Sequence, residues 1–143
     1  MCGIAATFCY GGGEVDRDAL LRARDCMEAR GPDASGYWEA DDQRVALAHR
    51  RLSIIDLSER GAQPMADEKR GRRLIYNGEI YNYQSLRADL EEKGYAFQSD
   101  TDTEVLLYLY AEHGRDLVEH LRGMYAFALY DEQERGLLMA RDP

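Results

Sequence analysis

The sequence predicts an α+β domain in which strands lie around a central group of helices. Two patterns carry that expectation. Short alternating or wholly apolar runs, bounded by Gly, Asp and Asn, lie towards both ends of the chain, and three- and four-residue apolar spacings lie between them. A third observation excludes a doubly wound sheet: strand-like and helix-like segments do not alternate regularly.

The elements follow in order. "IAATF" after Cys2 reads as a strand, closed by Gly11 to Gly13. From Asp16 the pattern becomes helical, with Leu20, Ala23 and Met27 on one face, and it stops near Gly31-Pro32. "SGYWEA" and "RVALAHRRLSII" are strand-like and are separated by the turn-forming pair Asp41-Asp42. "RRLIYNGEIYN" is extended and is expected to break at Asn77-Gly78, because NG between apolar strands is a strong hairpin signal. Two helices follow. Leu86 and Leu90 mark the first, which Gly94 ends. Thr101 with Glu104 has capping-box spacing and opens the second, whose apolar face is Val105, Leu106, Leu109 and Tyr110. A shorter amphipathic piece spans Asp116 to Leu121. "GMYAFALYD" then reads as a strand buried on both faces, joined through "DEQERG" to "LLMA".

A chain of 143 residues, 45% hydrophobic and 31% charged, is one domain's worth of globular protein. Its 27 acidic against 18 basic residues give a net charge of -9, which argues against nucleic acid or an anionic membrane as partner. No basic and apolar leader precedes the first strand, and "MYAFALY" is too short to span a bilayer. Cys2, Cys9 and Cys26 are odd in number and lack metal-ligand spacing, so they read as reduced thiols of a cytoplasmic protein.

The chemistry concentrates near the N-terminus. A thiol at a pKa of about 8.5 is mostly un-ionised at neutral pH and needs a base. The histidines are His49, His113 and His120, and the last two lie near helix ends in ordinary polar company. Removing Met1 would supply another base, an α-amine of pKa about 7.7 on the nucleophile's own residue. The competing reading makes Cys2 a small buried residue starting a strand. An acyl-transfer nucleophile needs an oxyanion hole, for which Asn77 offers an amide and Gly78 an unobstructed N–H, though on these residues alone a hairpin turn is the stronger reading. Arg50 and Arg51 are adjacent in a strand and must face opposite ways, so only one can clamp a carboxylate. Asp102 can bind an ammonium, or simply stabilise the first turn of its helix.

Taken together, "MCGIA", "RGPD" at Arg30 to Asp33, "HRRLSIIDLS" with "GAQPM", "NGEIYNY", "SDTDTEVLL", and "LRGMYAFALYD" with "LLMARDP" resemble the class II glutamine amidotransferases. The resemblance covers the whole chain. It is strongest to the N-terminal glutaminase domain of glutamine-hydrolysing asparagine synthetases. It implies an N-terminal-nucleophile hydrolase fold, a four-layer α-β-β-α sandwich, expected here to be incomplete at its C-terminal end. Cys2 matches the family's nucleophile, with its own amine as base once Met1 is lost. Asn77 and Gly78 match the oxyanion hole and Arg51 the carboxylate clamp. Gly78, Glu79 and Asp102 match positions that contact the substrate amino group, and the main chain around Ile54 is expected near the substrate.

The implied substrate is L-glutamine, hydrolysed through a Cys2 thioester to glutamate and ammonia. Residues 1–143 would then be a partial glutaminase domain that needs no cofactor. In the full-length enzyme a synthetase domain in cis, absent here, would use ATP and Mg2+ to convert aspartate to asparagine. The resemblance also raises a homodimer. Two departures stand out: Ala29 replaces the His common before "RGPD", and "CGIAAT" replaces a "CGIAG"-like opening. The alternatives are an amidotransferase acting on another carboxylate or a peptide, and an inactive fragment. Glucosamine-phosphate synthase and the first enzyme of purine synthesis share the glutaminase, but "GAQPM" and "NGEIYNY" speak against both.

Overall fold

Strand alternation in a single segment sets the layering. In the computed structural model, which describes residues 1–53 and 59–143, β1 (Gly3–Phe8), β2 (Ala34–Glu39) and β3 (Val45–Arg51) form an antiparallel sheet with β3 in the middle. Val45 and Leu47 face one side of β3, while Ala46 and Ala48 face the other. The small alanines let α1 (Arg17–Asp25) lie close, with Leu20 packed between Ala46 and Ala48 and against Ala5, Val15 and Tyr37. Asp16 caps α1 by accepting from the Ala19 N–H at 2.9 Å. The helix is shorter than its apolar spacing predicts. Beyond Asp25 the chain continues as turns, in which Arg30 N–H donates to the Met27 carbonyl at 2.9 Å.

A second antiparallel sheet takes the order β4 (Met65–Asp67), β5 (Arg72–Ile80), β6 (Gly123–Asp131), β7 (Gly136–Arg141). Its inner face carries Ile75, Ala128 and Tyr130 against Val45 and Leu47 of the first sheet. Its outer face carries Leu74, Tyr76, Ile80, Tyr125, Phe127 and Leu129. That face is covered by α2 (Tyr83–Glu92), by α3 (Asp102–His113), and by Leu117 of the 3-10 turn Gly114–His120. The layers therefore run helix, sheet, sheet, helices. β6 contributes to both cores, as its unbroken apolar run predicts. At three residues, β4 is too short to give a periodic signal, and the sequence does not announce it.

Two further expectations are corrected. Asn77-Gly78 is no hairpin: β5 continues through it, with Asn77 opposite Ala126 and Gly78 opposite Tyr125. The glycine serves a close approach instead. Its φ is 155°, and a Cβ there would overlap the Met124 carbonyl oxygen and come within 2.6 Å of Tyr125 Cα. The second correction concerns α3. Leu107 is as buried as Leu106, and Tyr110 is only half-buried, because β5, α2 and the 3-10 turn pack the helix from several sides. Among the described residues, no helix is long and apolar enough to cross a membrane.

Candidate active site

Where the start of β1, the end of β3 and the middle of β5 meet the first turn of α3, a cleft of about 260 Å³ opens. It brings together six of the residues singled out from the sequence: Cys2, Arg51, Asn77, Gly78, Glu79 and Asp102. Ile54, the seventh, lies outside the described residues.

Cys2 sits just ahead of β1, whose Gly3 is paired with Arg50 on β3. Its Sγ accepts from the Leu52 N–H at 3.3 Å and lies 3.7 Å from the Leu52 carbonyl oxygen. The "RGPD" segment holds this arrangement from the α1 side. Arg30 Nε donates to the Cys2 carbonyl at 3.3 Å, and Asp33 Oδ2 accepts from the Ser53 N–H at 2.7 Å. Gly31 leaves room for the segment to lie on the β3 main chain, since a Cβ there would overlap the carbonyl carbon of Arg50. Met1 is 62% exposed and lines the cleft beside Cys2.

The two arginines diverge as alternation requires. Arg50 turns towards α1, with Nη2 at 3.2 Å from Asp25 Oδ1 and 3.9 Å from Glu28 Oε1. Arg51 turns into the cleft, and its guanidinium fills the space above Gly61, where a Cβ would overlap Nη2. Neither His113 nor His120 lines the cleft; their rings stack on each other with centroids 4.0 Å apart.

Asp102 is buried at the first turn of α3. Its Oδ2 accepts from the Tyr76 hydroxyl at 2.6 Å and from the Ile80 N–H at 3.0 Å. Burial raises its pKa, the Tyr76 and Ile80 bonds oppose that rise, and the nearby Glu79 carboxylate adds to it. Two carboxylates lining one cleft favour a cationic guest. Asn77 lines the cleft, and its Oδ1 is buried with no hydrogen-bond partner among the described residues, so this oxygen can still accept from a donor.

Gln63, His49 and Tyr76 bear on the cleft, although the sequence assigned none of them a place in the site. Gln63 Oε1 accepts from the Tyr76 N–H at 2.6 Å, and His49 Nε2 donates to the Tyr76 carbonyl at 3.2 Å, so Tyr76 is fixed through its main chain on both sides. Burial lowers the pKa of His49 to about 4 and keeps the ring neutral. Tyr76 looks like an ordinary strand aromatic, and only the placement of its hydroxyl, a tertiary fact, sets it apart. Gln63 carried a weak signal, since it lies inside the "GAQPM" stretch.

Comparison with known proteins bears on the family and the fold. Residues 1–143 match the family described as "Glutamine amidotransferase domain". The chain is 45% identical to asparagine synthetase [glutamine-hydrolyzing] 1 of Bacillus subtilis, over 90% of its length and 20% of the relative's. It is 43% identical to asparagine synthetase B of Escherichia coli, over 99% of its length and 25% of the relative's. It is also 40% identical to amidase chry2 of Gibberella zeae, over 99% of its length and 22% of the relative's. The chain thus spans about a fifth to a quarter of these curated relatives. In fold it superposes on the glutamine phosphoribosylpyrophosphate amidotransferase of B. subtilis with a TM-score of 0.80 at 20% identity, covering 100% of this chain and 37% of that one.

Proposed function

The chain belongs to the glutamine amidotransferase domain family, and from that premise we propose that it hydrolyses the side-chain amide of L-glutamine through a thioester on Cys2. The observation that carries this reading is the convergence of Cys2, Arg51, Asn77 and Asp102, from four separate stretches of chain, on one cleft.

With Met1 removed, the α-amine of Cys2 takes the thiol proton, and Sγ attacks the glutamine Cδ carbonyl. Asn77 and Gly78 donate to the oxyanion that forms. The ammonium of Cys2 then protonates the departing nitrogen, the C–N bond breaks, and ammonia leaves a thioester. Water attacks next, giving its proton to the same amine. The C–S bond breaks, glutamate departs, and the thiolate recovers the proton. Arg51 pairs with the substrate α-carboxylate and Asp102 with the α-ammonium, with Glu79 and Gly78 beside it. Selection for an α-amino acid then comes from charge pairing at both ends.

On the same reading, residues 1–143 form part of the glutaminase domain of a longer enzyme. Its synthetase domain uses ATP and Mg2+ to transfer the ammonia to aspartate. A different acceptor is the second reading, favoured by the 40% identity to an amidase.

Intact mass before and after incubation with 6-diazo-5-oxo-norleucine tests the site. The expected result is a chain lacking Met1 that gains one adduct on Cys2, with no adduct on Cys2→Ser. A processed, folded chain that takes up no label would sink the assignment.

A further inference from the structure

Resting on the glutaminase reading, we propose that Tyr76 is a positioning residue that sets selectivity for the substrate's α-amino group, by fixing the carboxylate of Asp102. The geometry leaves Tyr76 little freedom. Its N–H is held by Gln63 Oε1 at 2.6 Å, its carbonyl by His49 Nε2 at 3.2 Å, and its ring lies in the core between β5 and α3 at 3% exposure. Both side chains holding its main chain are themselves buried.

From this fixed position the hydroxyl donates to Asp102 Oδ2 at 2.6 Å, and the Ile80 N–H donates to the same oxygen at 3.0 Å. Two donors on Oδ2 define the plane of the carboxylate and direct its remaining acceptor capacity to the cleft. They also work against the burial and the Glu79 charge that raise the pKa of Asp102, and so favour its anionic form. Tyr76 also precedes Asn77 in β5, so the main-chain bonds that fix the ring register the oxyanion donor too.

The test compares two substrates in the full chain. L-Glutamine carries the α-ammonium, whereas glutaramate has the same amide and carboxylate without it. Tyr76→Phe keeps the ring and removes only the hydroxyl. It should raise KM for glutamine about tenfold with little change in kcat, and leave kcat/KM for glutaramate within about twofold, because a hydrogen bond to a charged group is being lost. The ratio of the two specificity constants is read on one preparation, so it is unaffected if part of the variant is unfolded. Asp102→Asn should lower the same ratio at least as far. Equal losses for both substrates, or none, would overturn the proposal and leave Tyr76 a purely structural residue. If the unmodified chain turns over neither substrate and Cys2 takes no diazo label, the glutaminase reading itself has failed, and the proposal fails with it.

Discussion

Gly61 and Arg51 share one small volume, and that gives a test at the scale of the residue. A Cβ on Gly61 would overlap Arg51 Nη2 and lie 3.0 Å from Thr101 Cγ2. The far end of a long side chain yields more readily than main chain. Gly61→Ala should therefore cost about 1 kcal/mol of stability while displacing the guanidinium from the place proposed for the substrate carboxylate. The expected outcome is a KM for glutamine raised about tenfold at nearly constant kcat, equivalent to about 1.4 kcal/mol of lost binding. Steady-state kinetics and a urea midpoint on the same preparation check both halves. An unchanged KM would mean that Arg51 does not hold the carboxylate. Neither Gly61 nor Tyr76 was legible in the sequence, because each acts through a neighbour distant in the chain. Cys2 as a candidate and the divergence of the two arginines were legible, because a reactive group at a special position and the alternation of a strand are local facts, whereas the choice of Arg51 as the clamp rested on the family resemblance.

The first turn of α3 shows what an element-level signal captures and what it leaves out. Thr101 caps the helix as its spacing predicts, with Oγ1 accepting from the Glu104 N–H at 3.4 Å. The returning half of the box is displaced. The Glu104 carboxylate takes the N–H groups of Gln98 and Ser99 at 3.0 and 2.8 Å and the hydroxyls of Ser99 and Tyr108 at 2.6 and 3.1 Å. Ser99 Oγ in turn accepts from the Thr101 N–H at 3.4 Å. A carboxylate that accepts from four donors is worth more than a single cap. Glu104→Gln, which turns one acceptor into a donor facing donors, should cost about 3 kcal/mol, against about 1 kcal/mol for Thr101→Ala. Urea unfolding of the two variants checks the order, and the reverse order would place the stability of the turn in the cap. The Asn77-Gly78 misreading has the same origin. A pair that tolerates a turn equally tolerates a tight strand crossing, and the deciding neighbour is the Met124–Tyr125 main chain of β6.

Across the whole molecule, the α+β class was readable from periodicity, whereas the strand order was not. Pairing of β5 with β6 joins residues such as Asn77 and Ala126, and no local pattern encodes so distant a partner. His49 lies between the two sheets that result, at 1% exposure, donating to the Tyr76 carbonyl while its Nδ1 has no partner among the described residues. Burial brings its pKa from 6.5 to about 4, so in that interval the unfolded chain binds the proton and the folded chain does not. The stability this gives is fully present above pH 6.5 and is lost as pH falls towards 4. Between pH 7 and pH 5 the loss from this one group should be about 2 kcal/mol, because each pH unit over which only the unfolded chain is protonated costs ~1.4 kcal/mol. Asp102 acts in the opposite sense, because its raised pKa adds stability to the folded state as pH falls through it and so offsets part of the loss. The measurement is therefore a difference. Urea unfolding of the unmodified chain and of His49→Gln at pH 7 and pH 5 should show a fall in stability about 2 kcal/mol smaller in the variant. Equal falls in the two proteins would mean that His49 keeps an ordinary pKa, and that the space between the sheets is open to water.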